Sequence, residues 1–221
     1  MVQPPSTATK ACRCLRHTFS KVPSLLTLYS KYARALTFQI ICQTNIRVLG
    51  SLISNHLLAK NPELNLMPDY KDELLSLAVD LGNRLLRAYM TPHGLPYGSI
   101  SLKSGPRYGE TPITATATGG TVLLEFILLS QISGDMVFER AAEKATKALW
   151  SRRSALGLLG SHINLETGQW VYFDSGIGGG IDSFFEYLMK AHLLTGKQSY
   201  LEMFEEGVNA INRHVRQKSG W

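Results

Sequence analysis

The sequence predicts an all-α fold in which pairs of helices lie side by side and curve into an α/α barrel, with short β-hairpins between the pairs. From residue 44 onward, apolar residues recur with the 3.6-residue period of an α-helix. Helices with one apolar face alternate with helices that are apolar on nearly every side, which indicates outer and inner layers. Landmarks repeat after about 62 residues, and repeated units that cannot bury an apolar face alone must stack against their neighbours.

Six segments carry the helical period. Residues 119–132 and 182–194 are apolar nearly all round and are predicted to be buried inner helices. Residues 44–60, 71–90, 135–150 and 199–215 each present an apolar stripe. The stripes predicted to face the core are Ile46, Leu49, Ile53 and Leu57, then Leu74, Leu77, Leu81 and Leu85, and then Phe138, Ala142, Ala145 and Leu149.

Three independent landmarks define the repeat. The segment "ISLKSG" at 100–105 matches "INLETG" at 163–168, and both read as short hairpins that end in a glycine turn. The turn glycines Gly134 and Gly196 lie 62 residues apart, and the acids Glu125 and Glu186 lie 61 apart. These spacings predict hairpins near 95–105 and 159–170, and they place Glu125 and Glu186 at equivalent positions.

The net charge of +6 does not indicate a nucleic-acid partner. Eight basic residues precede the first acidic residue, Glu63, and beyond it 15 basic residues face 17 acidic ones. The basic charge therefore belongs to the N-terminal stretch and does not coat a binding face. No apolar run is long enough to predict a membrane span.

The first 43 residues differ in composition from the rest. They are basic, rich in Ser and Thr and free of acid, and they contain all three cysteines. This composition is typical of an organelle transit peptide or of a poorly ordered segment, and we expect the latter. The cysteines suggest neither zinc nor an easy disulfide, because Cys12 and Cys14 are separated by a single residue.

Asp182 and Glu186 pose the chemical question of this sequence. They lie at i and i+4 where the glycine-rich "GIGGG" passes into an apolar helix, and like charges at this spacing weaken an isolated helix. Asp182 could simply be an N-cap, and Glu125 and Glu186 could simply pair with arginines. Their repetition on the apolar inner helices favours a polar cavity instead. Such a cavity suits a polyhydroxylated ligand, and paired carboxylates suit glycoside hydrolysis.

Six segments of the chain resemble the family 47 glycoside hydrolases, and within it the ER degradation-enhancing α-mannosidase-like branch. They are "TNIRVLGSLISNHLL", "GLPYGSISLKSG", "TATATGGTVLLEFILLSQISGD", "ALW", "GLLGSHINLETGQW" and "DSGIGGGIDSFFEYLMKAHLLTG". The resemblance implies a partial (αα)7 barrel and inverting hydrolysis of α-1,2-linked mannose on high-mannose N-glycans, with calcium bound in the full-length family. It also implies residence in the endoplasmic reticulum and action on misfolded glycoproteins in ER-associated degradation.

The resemblance also assigns roles to individual residues. Asp182 stands at the position of an active-site aspartate, and Arg47 at that of a sugar-contacting arginine. Glu125 and Glu186 stand where the family has acids that line the pocket. Gln43 occupies the place of an active-site glutamate, and a glutamine has no proton to donate at neutral pH.

Departures from the family pattern lead to an expectation about this chain. Residues 1–43 are expected to be a non-family segment, residues 44–217 a partial catalytic domain, and residues 218–221 a truncated tail. The threonine that binds calcium in the family has no counterpart, so no complete calcium site is expected. The chain is therefore expected to be a truncated or mis-spliced form without activity of its own. The alternative is a non-catalytic module that binds mannose glycans and lacks the general acid.

Overall fold

The computed structural model describes residues 39–216, and this part of the chain is mostly helical, as predicted. One short strand, a one-turn helix and a π-helix open it, followed by three helix pairs with strands between them. The helices are α1 Ile41–Thr44, a π-helix Asn45–Leu49, α2 Gly50–Lys60, α3 Glu73–Leu86, a 3₁₀ turn Arg87–Tyr89, α4 Thr116–Gly120, α5 Leu123–Ser133, α6 Val137–Trp150, α7 Asp182–Thr195 and α8 Gln198–His214. The strands are β1 Gln39–Ile40, β2 Ser99–Ile100, β3 Ile113–Ala115, β4 His162–Asn164 and β5 Trp170–Tyr172.

The helices pack as the predicted pairs: α2 with α3, α5 with α6, and α7 with α8. Helix α5 lies at the centre, in contact with α2, α3, α6 and α7. The stripe predicted for α6 is confirmed, since its four residues are fully buried. Phe126 of α5 and Phe138 of α6 meet edge to face, with ring centroids 5.7 Å apart, an arrangement that aromatic pairs favour.

Glycine ends the inner helix of two successive pairs, as the repeat predicts. Gly134 after α5 has φ 80° and ψ −2°, and Gly196 after α7 has φ 71° and ψ 1°. Both are left-handed conformations that only glycine adopts without steric cost. Each glycine N–H donates to the carbonyl four residues back, Ser130 or His192. The connections that follow are short, so each outer helix folds back along its inner helix.

All strand pairs in residues 39–216 are antiparallel. Strands β4 and β5 form the hairpin predicted near 159–170, and β3 pairs with the other edge of β4. The hairpin predicted near 95–105 is reduced to a tight turn in which Ser101 and Gly105 exchange backbone hydrogen bonds. Its leading strand β2 pairs instead with β1, at the start of the described chain.

The apolar stripe predicted for residues 44–60 is only half right. Leu49 and Ile53 are buried, but Ile46 is 43% exposed and Leu57 is 42% exposed. Ile46 lies in the π-helix, whose wider turn shifts the positions of side chains relative to an α-helix. At the far end His56 takes the buried position, where its Nδ1 lies 2.9 Å from the hydroxyl of Tyr70.

The boundary predicted at residue 43 falls within the folded chain. Ile41 is fully buried in the main core, and Gln39 and Ile40 form strand β1. Residues 1–38 of the predicted N-terminal segment, and the tail at 218–221, lie outside the described residues. In residues 39–216, no helix combines the length and the apolar character that crossing a membrane requires.

Candidate functional site

Three segments meet at one end of the inner helices. They are the π-helix, the junction between α4 and α5, and the N-terminus of α7. The side-chain amide of Asn45 donates to the carbonyl of Thr121 at 3.1 Å. The hydroxyl of Thr121 lies 3.5 Å from that of Ser183, the second residue of α7. This contact brings Asp182 to the same end as Glu125, the third residue of α5.

Glu125 is the centre of a buried hydrogen-bond network. Asn45 Nδ2 donates to Glu125 Oε2 at 2.7 Å, and the Tyr187 hydroxyl donates to Oε1 at 3.0 Å. Asn45 is fully buried and Tyr187 nearly so. Burial raises the pKa of the Glu125 carboxyl, while its own backbone N–H and the two side-chain donors offset part of that rise. Three helices are thereby linked through one carboxyl group.

One acceptor and one donor near Glu125 make no hydrogen bond within the described chain. Among the described residues, Asn45 Oδ1 and the hydroxyl of Tyr89 are buried without a hydrogen-bond partner. Burial, reinforced by the charge of Glu125, raises the pKa of the Tyr89 phenol well above its ordinary value. Tyr89 thus keeps its proton, and the two side chains that donate hydrogen bonds to Glu125, Asn45 and Tyr187, are neutral as well.

Glu186 is not the structural counterpart of Glu125, contrary to the prediction from the repeat. Glu125 lies nine residues before Gly134, and the residue nine before Gly196 is Tyr187. A shift of one residue turns a helical side chain by about 100°. Glu186 accordingly faces solvent, where its carboxylate is 2.5 Å from the ammonium of Lys190. Measuring from the cap glycines would have identified Tyr187 in the sequence.

Arg47 and Gln43 pair with each other on the exposed side of the π-helix. Arg47 Nε donates to Gln43 Oε1 at 2.6 Å, across one helical turn. The sequence predicts that Arg47, Glu125, Asp182 and Glu186 converge on one polar cavity, with Asp182 and Glu186 neutralised by Arg47 or by calcium-bound water in the full-length protein. Within residues 39–216 the hydrogen-bond partner of Arg47 is Gln43, and that of Glu186 is Lys190. The predicted residues therefore share one end of the fold without forming a single hydrogen-bonded cluster.

Asp182 is the first residue of α7, and the N-cap position belongs to Ile181. One carboxylate oxygen accepts the N–H of Ser183 at 2.9 Å. The backbone N–H of Asp182 itself donates to Gly178, which ties the glycine-rich loop to the helix. A carboxylate in the first helical turn is favoured by the helix dipole. Asp182 is exposed, so this carboxylate is available to a ligand.

The side chains of Ser161 and Asp174 were not identified by the sequence analysis. The Ser161 hydroxyl donates to Asp174 Oδ1 at 2.7 Å and lies 3.0 Å from Nδ1 of His162. The glycine-rich loop passes directly beside them: a Cβ added to Gly180 would lie 3.6 Å from both Ser161 Cβ and His162 Cε1. No local sequence pattern indicates this group, because Asp174 follows Ser161 by 13 residues across the β4–β5 hairpin.

The described residues of this end provide no cluster of acidic side chains for the calcium that the family resemblance implies. Calcium takes six to eight oxygen ligands, with carboxylates prominent among them. In the part of the chain that the structure describes, no three His, Cys, Asp or Glu side chains are close enough to hold a metal ion together. Glu125, the most buried carboxyl of the site, is already bonded to Asn45 and Tyr187.

Comparisons with known proteins agree on one family. The profile of Glycosyl hydrolase family 47 matches residues 31–220. Alpha-mannosidase I MNS4 of Arabidopsis thaliana is 46% identical over 82% of this chain and 29% of its own length. ER degradation-enhancing alpha-mannosidase-like protein 2 of Homo sapiens is 44% identical over 80% of this chain and 31% of its own length. The chain thus spans about a third of the length of these relatives.

A solved structure gives the same result for the fold. The alpha-1,2-mannosidase from Trichoderma reesei superposes with a TM-score of 0.72, over 86% of this chain and 42% of that one. The two sequences are 24% identical, so this likeness shows a shared fold and no more.

Proposed function

Glycosyl hydrolase family 47 is the family to which this chain belongs, and on that basis we propose that it binds α-1,2-linked mannose of high-mannose N-glycans. The observation that carries the proposal is the exposed carboxylate of Asp182 beside the buried network of Asn45, Glu125 and Tyr187. Carboxylates, amides and hydroxyls that surround an apolar helix end are the groups that recognise a polyhydroxylated ligand.

The proposed roles follow from exposure. Asp182 and Arg47 are solvent-accessible and would contact the sugar directly. Glu125 would support the site from beneath, because both of its oxygens already accept hydrogen bonds from buried donors. Glu186 would contribute only if it left its ion pair with Lys190, an exposed pair of a kind that costs little to break.

Hydrolysis requires more groups at this end of the fold than glycan binding does. An inverting glycosidase needs one carboxyl group to protonate the leaving oxygen and another to activate water from the opposite face of the ring. Gln43 stands where the family resemblance places an acid. Its amide oxygen accepts a hydrogen bond from Arg47 Nε, and an amide has no proton to donate to the leaving oxygen. We therefore propose that the family activity is α-1,2-mannosidase and that the present chain binds glycan without hydrolysing it.

The same membership supports the cellular role. The relative from Homo sapiens described above is named for ER degradation enhancement. We propose that this protein acts in the endoplasmic reticulum on high-mannose glycans of misfolded glycoproteins, within ER-associated degradation. Any dependence on calcium would rest on ligands other than a carboxylate cluster in residues 39–216.

The test is binding and hydrolysis measured on one preparation. We expect the 221-residue chain to bind α-1,2-mannobiose in ligand-observed NMR and Asp182→Asn to weaken that binding. The matched control is Asp69→Asn, an exposed carboxylate on the loop beyond the far end of α2. With calcium supplied, we expect no release of mannose from a high-mannose N-glycan.

Three results would contradict the proposal in different ways. Mannose release that Asp182→Asn abolishes would show that the chain is an active enzyme with another acid in place of Gln43. Undetectable binding by the unchanged chain would contradict the proposed ligand. Equal binding by Asp182→Asn and the unchanged chain would contradict only the role of Asp182.

A further inference from the structure

His162 lies at the edge of the candidate site, held by a hydrogen-bond relay that selects the tautomer of its neutral ring. The Ser161 hydroxyl is 2.7 Å from Asp174 Oδ1 and 3.0 Å from His162 Nδ1. An ionised carboxylate only accepts hydrogen bonds, so the single hydroxyl proton of Ser161 goes to Asp174. The Ser161 oxygen is then free only to accept, and Nδ1 of His162 must carry the ring proton. In the neutral imidazole the other ring nitrogen, Nε2, is then an acceptor.

Ser161, the middle residue of the relay, is held firmly in the fold. Ser161 is 2% exposed, and its backbone is held on both sides, by Thr116 N–H at its carbonyl and by the Tyr172 carbonyl at its N–H. The His162 ring packs against Tyr172 edge to face, with centroids 5.1 Å apart. A buried serine between a carboxylate and an imidazole is a geometry that orients the imidazole.

One edge of the ring lies beside the glycine-rich loop that leads to Asp182. His162 Cε1, the atom between the two ring nitrogens, lies 3.6 Å from the Cβ position of Gly180. Gly180 precedes the exposed Asp182 by two residues, and its φ of +90° favours glycine, so no side chain covers the imidazole there. In the described residues, Nε2 of His162 has no hydrogen-bond partner.

The surroundings of His162 suit a sugar ring. Phe173 is 77% exposed, and Tyr172 and Ile177 are more than half exposed. Of these three side chains, Tyr172 packs directly against the His162 ring, and exposed large apolar side chains beside polar groups mark binding surfaces. A pyranose offers both an apolar C–H face and hydroxyl donors, which match these side chains and the Nε2 acceptor respectively.

We propose that His162 contacts the glycan and accepts a hydrogen bond from a sugar hydroxyl at Nε2, with Ser161 and Asp174 as its positioning residues. This inference rests on the proposed function, since it takes the ligand to be a mannose glycan. His162 would add a neutral hydrogen-bond acceptor on the β4–β5 hairpin to the contacts of Asp182 and Arg47. This acceptor would favour sugars whose hydroxyl is oriented toward it.

The relay is tested without ligand by ¹⁵N NMR of histidine-labelled chain above pH 8, where imidazole is ordinarily neutral. We expect His162 as the Nδ1–H tautomer and expect Ser161→Ala to move it toward Nε2–H. His192 is the internal control, because its Nδ1 lies 3.1 Å from the carbonyl of Lys197 and should not respond. An Nε2–H tautomer in the unchanged chain, or no response to Ser161→Ala, would overturn the relay.

The sugar contact is tested by the affinity for α-1,2-mannobiose. His162→Phe removes the acceptor and should weaken binding about two- to tenfold, the value of one neutral hydrogen bond. Ser161→Ala, a smaller change to the fold, should weaken binding in the same direction. His192→Phe should leave it unchanged. Equal affinity in His162→Phe and the unchanged chain would overturn this inference alone, whereas no binding by the unchanged chain would overturn the proposed function and this inference with it.

Discussion

Helices α5 and α7 have similar apolar sequences, yet only α5 is enclosed on nearly all sides. Phe126 and Leu129 of α5 are fully buried among four neighbouring helices. Helix α7 instead exposes a stripe, and its member Leu193 is 74% exposed. The stripe consists of Asp182, Glu186, Lys190 and Leu193. An apolar composition thus predicts a helix well but does not predict how many neighbours cover it.

The same two helices place different chemistry at the same position. Nine residues before the cap glycine, α5 has Glu125 and α7 has Tyr187, and the two side chains bond to each other. The repeat therefore fixes where a side chain lies, and the residue type decides whether it donates or accepts. A carboxyl and a phenol at equivalent positions form a complementary pair, which two carboxyls would not.

The largest expected effect comes from truncating the enclosed helix. Phe126→Ala should lower the free energy of unfolding by about 3–5 kcal/mol, because a large side chain leaves a cavity in a packed core. Leu193→Ala on α7 should change it by less than about 0.5 kcal/mol. Urea unfolding followed by circular dichroism measures both. Comparable losses in the two variants would mean that the exposed stripe of α7 is covered in solution.

A smaller effect is expected where α3 approaches α5 and α6 most closely. A Cβ added at Gly82 would lie 2.6 Å from Leu129 Cδ2 and 2.7 Å from Phe138 Cε1. Gly82→Ala should therefore destabilise the fold by about 1–3 kcal/mol through overpacking. Gly98→Ala is the matched control, because no atom lies within 4 Å of its Cβ position. A stable Gly82→Ala variant would show that α3 can move away from α5.

The register of α7 is tested by neighbouring substitutions. Tyr187→Phe removes the donor to Glu125 Oε1 and should cost about 0.5–1.5 kcal/mol, the net value of one hydrogen bond. Glu186→Gln removes an exposed ion pair with Lys190 and should cost less than about 0.5 kcal/mol. Thermal unfolding ranks the two variants. The reverse order would place Glu186 inside the fold and support the predicted equivalence with Glu125.

The smallest expected effect is a change in the pH dependence of stability. The folded pKa of Glu125 is raised by burial. The stability that Glu125 contributes is therefore fully present below its unfolded pKa and is lost as the pH rises through its folded pKa. Glu125→Gln does not titrate, so its stability relative to the unchanged chain should improve as the pH rises through the folded pKa of Glu125. Urea midpoints at several pH values measure this slope, and parallel curves would contradict the raised pKa.

Local features of the fold were predictable from the sequence because their causes are local. Gly134 and Gly196 end helices through their own backbone freedom, and the α6 stripe follows from helical periodicity. Asp182 begins a helix as its glycine-rich flank indicates. The exposed ends of the first stripe were not predictable, because a π-helix leaves no clear mark in the residue pattern.

The candidate site was predictable only in part, because several of its contacts join residues that are far apart in the sequence. Glu125 and Asp182 were predictable because they are charged residues within apolar segments of the sequence. Asn45 and Tyr187 are ordinary helix residues, and their importance comes from contacts made across about 60 to 80 residues of chain. Ser161 and Asp174 likewise meet only once β4 and β5 have paired.

The π-helix at Asn45–Leu49 has a consequence for changes in chain length. Its last bond runs from Gly50 N–H to Asn45 O, one residue further than in an α-helix. Deleting one residue within it, such as Val48, would allow a continuous α-helix and keep the hydrogen-bond ladder intact. Everything on its N-terminal side would then turn by about 100° relative to α2. Asn45 would lose its hydrogen bond to Glu125, and the side chain of Gln43 would turn to another side of the helix. A deletion that the fold tolerates at this point would therefore abolish ligand binding at the candidate site.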